Sequence, residues 1–551
     1  MPDTAKTAPI DPVTVEVIGN AIASIADEMG ETLVRASYST NIKERRDCST
    51  VIFDATGRTL YQAEHIPIHL GSLMGVVEAI LERHDVADIG EGDMFIGNDA
   101  YTGGGTHLPD IVLAAPIFYN GDLVGWATNL AHHADFVDRG HAHIYQEGLR
   151  IPPIRLQRAG TVQQDVLDLI LLNCQVPHER RADLRAQIAA NRFGVQRFQA
   201  LCERYGVQLL TRAFDELLDY AERRMRAGIA TIPNGVYRFE DQFECDEWDE
   251  TLTFKVEITV KDEDIHLDFK DNPPQIRAGL NMVETATLAT VYYAIKCVTD
   301  PDAPPNAGLY RPIKVSAEPG SILNAVSPAA VNGRTNTCQR VVDVVHGALA
   351  QAIPERLIGA CNGAVVSSTF TGINPRTERF YVYLETLGGG FGARATKDGL
   401  DGVQVHITNT SNLPVEGLEP EYPLRVERYE LVTDSGGCGT WRGGMSFRRK
   451  IRALHDECRV NCRGTRAKTA PWGLLGGLDG GTYRIERDKD VAPFEKSVGW
   501  LNNGQAIAIV TPGSGGYGPP ENRDPELVKR DLREGRISPT VAQNIYGIDV
   551  D

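Results

Sequence analysis

The sequence predicts a mixed α+β chain of several domains: an N-terminal α/β region, a helical insertion and a β-rich C-terminal half. Three observations carry that prediction. Apolar residues recur at helical spacing in two stretches, first at Ile18, Ile22, Ile25, Met29 and Leu33, then from Val166 through Tyr220. Strand-like runs flank turn residues between 50 and 131 and alternate again over 236–270. After residue 380, glycine clusters among short β-rich runs dominate. A chain of 551 residues accommodates roughly two to four domains. The expected regions are 1–155 (α/β), 156–235 (helical), 236–430 (mixed α+β) and 431–551 (glycine-rich β with a short terminal helix).

The elements follow in order. Asp11-Pro12 pairs a capping side chain with proline at the first helical position, so a helix starts there. Residues 50–63 form a hairpin around Asp54-Ala55-Thr56-Gly57, and a second helix covers 72–84. Asn120-Gly121 between the β-rich runs 110–119 and 122–131 is the strongest short-range hairpin signal in the chain. The stretch 162–230 reads as a helical hairpin or small bundle, 236–270 as strands, and 282–300 and 338–352 as helices. A short helix at 524–535 comes near the end. The glycine clusters at 388–392, 436–437, 443–444, 476–477 and 480–481 are unevenly spaced, so no repeat architecture is expected.

Composition narrows the function. Fifty-six Lys and Arg against 74 Asp and Glu give a net charge of −18, which repels nucleic acid and anionic membranes alike. No apolar run reaches the roughly 20 residues that span a bilayer, and the N-terminus lacks a secretory pattern, so a cytoplasmic protein is expected. Ten scattered cysteines, with Cys458 and Cys462 the sole close pair, favour reduced thiols over a disulfide framework or a thiolate knuckle. Glycine, at 54 residues, exceeds the usual share of about 7%. It invites a search for nucleotide loops. Gly513-Ser-Gly515-Gly-Tyr-Gly518 follows a strand-like run but leads into Pro519-Pro520, so no helix N-terminus is there to hold a pyrophosphate. The chain has no G-x-x-x-x-G-K-[ST], G-x-S-x-G or H-E-x-x-H. The glycines therefore read as turns and close backbone approaches, and any ATP chemistry belongs to another chain.

The chemistry concentrates in Thr106-His107-Leu108-Pro109-Asp110 and Asn129-Leu130-Ala131-His132-His133-Ala134-Asp135. A two-residue turn at Asn120-Gly121 places Asp110 opposite Ala131 and Pro109 opposite His132. Both His/Asp groups then meet at the open end of one hairpin, since opposed Cβ atoms are about 5 Å apart. Strict register puts His107 on the face of His132, and Asp110 on that of His133. Pro116 hints at a bulge, and one extra residue would exchange the faces. Spacing leaves the choice between His132 and His133 open. Imidazole plus carboxylate suits Zn, Mn or Fe, and desolvating such a cluster without a cation is costly; a metal-free hydrogen-bonded network is the bland alternative. Asp47, in the charged run 43–47 before a strand, is a candidate fourth ligand.

With these motifs the sequence resembles the B subunit of the hydantoinase/oxoprolinase family. The resemblance rests on 41–47 (Asn-Ile-Lys-Glu-Arg-Arg-Asp), 64–72 (Glu-His-Ile-Pro-Ile-His-Leu-Gly-Ser), 104–110, 131–135, 146–153 (Gln-Glu-Gly-Leu-Arg-Ile-Pro-Pro), 183–187, 385–390 and Gly516-Tyr517-Gly518, and it runs from Asp11 to Tyr546. It implies an ATP-dependent cyclic amide hydrolase acting on a small hydantoin, 5-oxoproline or lactam. An A subunit with an actin-like ATPase fold would use ATP-Mg to phosphorylate the amide carbonyl oxygen, in a hetero-oligomer such as α2β2. The B subunit would hold one divalent metal, Zn or Mn with Fe as a further option, on Asp47, His107, Asp110 and His132. His133 and Asp135 would be catalytic, as orienting groups or proton acceptor, and His65 and His69 would line the cavity or pack beside it. The stretch 136–145 is shorter than the family's usual one, which bears on substrate identity. Two competing readings are the metal subunit of an ATP-dependent ketone carboxylase and a non-catalytic scaffold for the ATPase.

Overall fold

The computed structural model describes residues 10–63, 66–133, 141–246, 248–495 and 497–549. Helix Pro12–Ala36 opens the chain, with the Asp11 carboxylate accepting the Thr14 N–H at 3.1 Å. Its apolar stripe, Ile18, Ile22, Ile25, Met29 and Leu33, is buried as the spacing requires. The first sheet is built from β1 (Cys48–Asp54), β2 (Thr59–Gln62), β3 (Met94–Gly97), β4 (Asp110–Tyr119), β5 (Asp122–His132), β6 (Ile154–Arg158) and β7 (Thr161–Val162). Its order is β2-β1-β5-β4-β3-β6-β7, and every pairing is antiparallel.

Both faces of this sheet are covered. Helices Pro12–Ala36 and Pro177–Tyr205 lie on one side, and helix Val76–Arg83 lies on the other. On β4, Ile111, Leu113 and Ala115 pack with Leu184 and Ile170, whereas Val112 and Ala114 pack with Val76 and Ile80. A strand buried on both sides reads as a continuous apolar run, which is why 110–117 lacks clean alternation.

The decisive local feature is a bulge in the β4–β5 hairpin. Tyr119 pairs with Asp122 and Phe118 with Leu123, but Ile117 pairs with Gly125, so one residue is skipped. All earlier pairs shift by one, and Asp110 lies opposite His132 instead of Ala131. The face exchange that Pro116 hinted at is present, one step from that proline.

Helices Gln164–Leu172, Pro177–Tyr205 and Val207–Ile229 fill the helical stretch. A second sheet follows, ordered β11-β10-β9-β8, from β8 (Gly235–Cys245), β9 (Trp248–Lys261), β10 (Asp264–Asp268) and β11 (Ile313–Ser316). Helices Glu284–Thr299 and Arg334–Leu349 pack with it in the largest apolar core. The latter helix begins four residues before the expected 338, and fifteen of its residues are buried. Two further four-stranded sheets interleave in sequence: β13-β12-β16-β18 and β14-β15-β19-β17. Their strands are β12 (Val366–Asn374), β13 (Arg379–Leu387), β14 (Leu424–Leu431), β15 (Phe447–Ala453), β16 (Cys458–Arg463), β17 (Arg484–Arg487), β18 (Val498–Leu501) and β19 (Ala506–Val510). One apolar core joins both. The boundary expected at 155/156 falls inside β6, and that at 430/431 inside β14.

Helices Pro525–Arg533 and Pro539–Asn544 close the chain; the second, capped by Ser538, is an addition to the single terminal helix expected from sequence. Among the described residues no disulfide links the ten cysteines. The glycine clusters are places where backbone meets backbone. A Cβ on Gly513 would run into the Ser435 carbonyl, and one on Gly444 into that of Leu400. The run 513–518 is filled by neighbouring chain, so it offers no cradle for a phosphate. Among the described residues no helix is long and apolar enough to cross a membrane.

Candidate metal centre

The register shift brings three ligand-type side chains together. Asp110 starts β4, His132 ends β5 directly opposite it, and His107 sits one turn earlier, its carbonyl accepting the Asp110 N–H at 3.1 Å. One donor atom from each of the three lies within 4.8 Å of the other two, and all three residues are buried. His107 Nε2 stands 3.1 Å from Asp110 Oδ1, yet among the described residues neither atom has a hydrogen-bond partner of good geometry. The rings of His107 and His132 are 5.0 Å apart. Two buried polar atoms that face one another without bonding aim their lone pairs at a common point, as ligands of one cation do.

The surroundings fix each ligand. His107 Nδ1 lies 3.2 Å from both the Asn332 carbonyl and its side-chain oxygen, which places the proton there and frees Nε2. Arg334, in the first turn of its helix, donates from Nη2 to Asp110 Oδ2 at 3.0 Å and from Nε to Thr106 Oγ1 at 2.8 Å. The Asn41 amide meets His132 at Nδ1 (3.1 Å) and at the carbonyl (2.7 Å). Asp47 precedes β1, and its carbonyl accepts the His132 N–H at 3.0 Å. Its side chain lines the same cavity but stands outside the tight group of three.

Electrostatics suits a cation. Burial, and then the Arg334 charge, push His107 down, and burial with His107 pushes His132 well below the imidazole range, so both rings are neutral donors. Burial works against the Asp110 carboxylate, but the cationic and hydrogen-bonding neighbours, Arg334 the permanent charge among them, outweigh it and hold Asp110 below the usual carboxylate range. Burial raises Asp47 to about 6, with Arg45 opposing. Nitrogen and oxygen donors without a thiolate fit Zn, Mn or Fe. The cavity holds about 60 Å³ and is also walled by Ser367, Thr386, Thr408 and Thr410. Larger hollows lie at 230–234 with 261–264 and at 244–249 with 483–497, and among the described residues neither contains such a donor group.

The structure places the remaining sequence candidates as follows. His133 points to the opposite face of the sheet, where Nε2 meets Gln187 Oε1 at 3.0 Å; burial and Arg180 push it down to about 4. It does not join the group. His69 lines the cavity, with Nδ1 2.8 Å from Ser49 Oγ. Asp135, His65 and 136–140 of the shortened stretch lie outside the described residues.

Sequence reasoning missed Arg334 and Asn332, which are more than 220 residues from the ligands they hold. Glu147 stands inside a recognised motif, but its task was not legible. Its Oε1 accepts the N–H groups of Val331 (2.9 Å) and Asn332 (2.8 Å), so it sets the loop that orients His107, while Oε2 is buried with no hydrogen-bond partner among the described residues. Burial pushes Glu147 up to about 7, against those two bonds. A carboxyl raised on folding stabilises fully below its unfolded value of about 4.5, and that contribution is lost as pH rises through about 7. Glu147→Gln keeps an oxygen acceptor and removes the ionisation. The melting temperature of the variant is therefore expected to gain on that of the wild type between pH 5 and pH 8; an unchanged difference would contradict the assignment.

Known proteins resemble this chain over nearly its whole length. The family model for hydantoinase B/oxoprolinase matches residues 11–520. The B subunit of a putative D-/L-hydantoinase from Pseudomonas sp. (strain NS671) is 33% identical, over 98% of this chain and 95% of its own. The crystal structure of the ATP-dependent caprolactamase from Pseudomonas jessenii superposes with a TM-score of 0.90 at 30% identity, covering 98% of this chain and 97% of that one. A nucleotide-free acetone carboxylase also superposes at 0.90, covering 98% of this chain and 80% of that one; at 18% identity the likeness is one of fold.

Proposed function

The chain belongs to the hydantoinase B/oxoprolinase family, and from that premise we propose that it is the metal-bearing component of an ATP-dependent cyclic amide hydrolase. The observation that carries the reading is the unbonded pair His107 Nε2 and Asp110 Oδ1, buried beside His132. Asp47, His107, Asp110 and His132 would hold one divalent ion. When bound, such an ion supplies Lewis acidity and lowers the pKa of water at the site to near 7.

The chain's own residues do the rest. Asn332 keeps the His107 proton on Nδ1, and Arg334 keeps Asp110 ionised and oriented. Thr386, Thr408 and Thr410 line the cavity in which a small ring amide would sit. ATP would be used at a separate actin-fold subunit, which phosphorylates the amide carbonyl oxygen. A first water would add to that carbon and the ring C–N bond break, the nitrogen leaving as the protonated amine and the carbon as an acyl phosphate. A second water would then cleave the acyl phosphate to carboxylate and free phosphate. His133 braces the end of β5 from behind through Gln187 as a positioning residue, and Asp135 is the proposed proton acceptor.

The test is co-expression with the ATPase subunit and assay of hydantoin, 5-oxoproline and caprolactam. Ring opening coupled to ADP formation is expected. Bicarbonate-dependent product from a ketone, with no ring opening, would replace this reading with the carboxylase one.

A further inference from the structure

A second group of ligand-type side chains lies away from this centre, in the C-terminal half. Asp343 sits in helix Arg334–Leu349, Cys361 in the segment leading into β12, and His406 in the loop after β13. One donor atom from each lies within 4.8 Å of the others, and all three are buried. His406 has φ +49°, a left-handed conformation that costs a residue with a side chain and persists where the surroundings impose it.

The arrangement repeats that of the first centre. There, Asp110 is shared between Arg334 on Oδ2 (3.0 Å) and His107 Nε2 facing Oδ1 (3.1 Å). Here, Asp343 is shared between Arg466 on Oδ2 (2.9 Å) and His406 Nε2 facing Oδ1 (3.1 Å). Cys361 takes the place of the second imidazole. Its N–H donates to Asp343 Oδ1 at 3.2 Å, and its sulfur accepts the Gly392 N–H at 3.4 Å. Among the described residues the buried His406 Nδ1 has no hydrogen-bond partner of good geometry. His406 also lines a cavity of about 280 Å³ with Tyr293 and Cys297, which gives a path from the surface and room for a water as a further ligand.

We propose that Asp343, Cys361 and His406 form a second divalent-metal site. The donor set is softer than that of the first centre, because a thiolate joins an imidazole and a carboxylate, and it favours zinc. The carboxylate contact differs as well: His406 Nε2 is hydrogen-bonded to Asp343, whereas His107 Nε2 makes no such bond among the described residues. The proton in that bond occupies the place of the cation and is released when the ion enters, as is the thiol proton. Its consequence is structural. The ion would tie a central helix, the entry to β12 and the loop whose Thr408 and Thr410 wall the first cavity.

Cobalt tests this without recourse to activity. The full chain, stripped of metal and titrated with Co²⁺, is expected to bind two equivalents, and one of them should bring a near-ultraviolet thiolate-to-cobalt charge-transfer band. Cys361→Ser should lose the band and one equivalent. Cys297→Ser, at the cavity wall, and His107→Ala, at the first centre, should keep the band. Saturation of the wild-type chain without the band, or survival of the band in Cys361→Ser, overturns the proposal. The wild-type titration decides even if Cys361→Ser does not fold. His107→Ala reads the first centre separately, since a lost equivalent with an intact band concerns that centre alone.

Discussion

Replacing His107 with alanine is expected to strip the first centre of its ion and to lower ring opening by more than ~100-fold, beyond the cost of losing a mere supporting partner. The reason is local. His107 Nε2 converges with Asp110 and His132, and among the described residues its loss leaves only those two in the tight group, with Asp47 standing outside it. Elemental analysis of the purified variant, beside a steady-state assay with the ATPase subunit, reads both effects. ATP hydrolysis at the partner is expected to persist uncoupled from product. A variant that keeps its full metal content would remove His107 from the ligand set. Asn332→Ala should fall between the two, because it releases the His107 ring without deleting the ligand.

The largest effect on stability is expected at a buried ion pair in the C-terminal half. Arg449 on β15 and Glu385 on β13 are both fully buried and meet at 2.8 Å, joining the two interleaved sheets of the C-terminal half. The Arg449 guanidinium also stacks on Tyr429, 4.7 Å from its ring centre, and Glu385 Oε1 accepts from Asn412 at 2.9 Å. Arg449→Met leaves the Glu385 charge buried without its cation, a cost of about 3–5 kcal/mol. Removing both charges, as Arg449→Met with Glu385→Leu, should cost less than Arg449→Met alone, since no unpaired charge remains. Calorimetric melting of the three variants is the measurement. An Arg449→Met chain within about 0.5 kcal/mol of the wild type would show that water or a neighbouring cation reaches Glu385.

Much of the architecture was legible because it depends on local chemistry. The stripe from Ile18 to Leu33, the Asp11 cap and the Asn120-Gly121 turn each act within a few residues, and each forms as its sequence requires. The two prolines after Gly518 likewise excluded a dinucleotide fold. The site was legible only up to one residue of register. Asn-Gly fixes Tyr119 against Asp122, but the bulge at Val124, passed over between the Phe118–Leu123 and Ile117–Gly125 pairs, carries no mark in the turn itself, and it decides that His132 and not His133 faces Asp110.

What holds the ligands was not legible. Arg334 and Asn332 reach His107 and Asp110 across the chain from the start of a helix, and local spacing carries no signal for such contacts. The helix itself starts earlier than its apolar pattern suggests, because Gly333 provides no side-chain cap to mark it. The second cluster escaped for the same reason. Asp343, Cys361 and His406 come from three segments, and none stands in a spacing that suggests a metal.

The central claim is that this chain's metal centre opens the ring. Its most direct test is ring opening by the assembled enzyme after metal removal, with Mg²⁺ kept in excess for the nucleotide. Product formation is expected to vanish in the stripped enzyme, to return with added Zn²⁺ or Mn²⁺ in proportion to the occupancy of the first centre, and to stay absent in His107→Ala under the same addition. Ring opening at the full rate in enzyme shown to be metal-free at His107, Asp110 and His132 would contradict it.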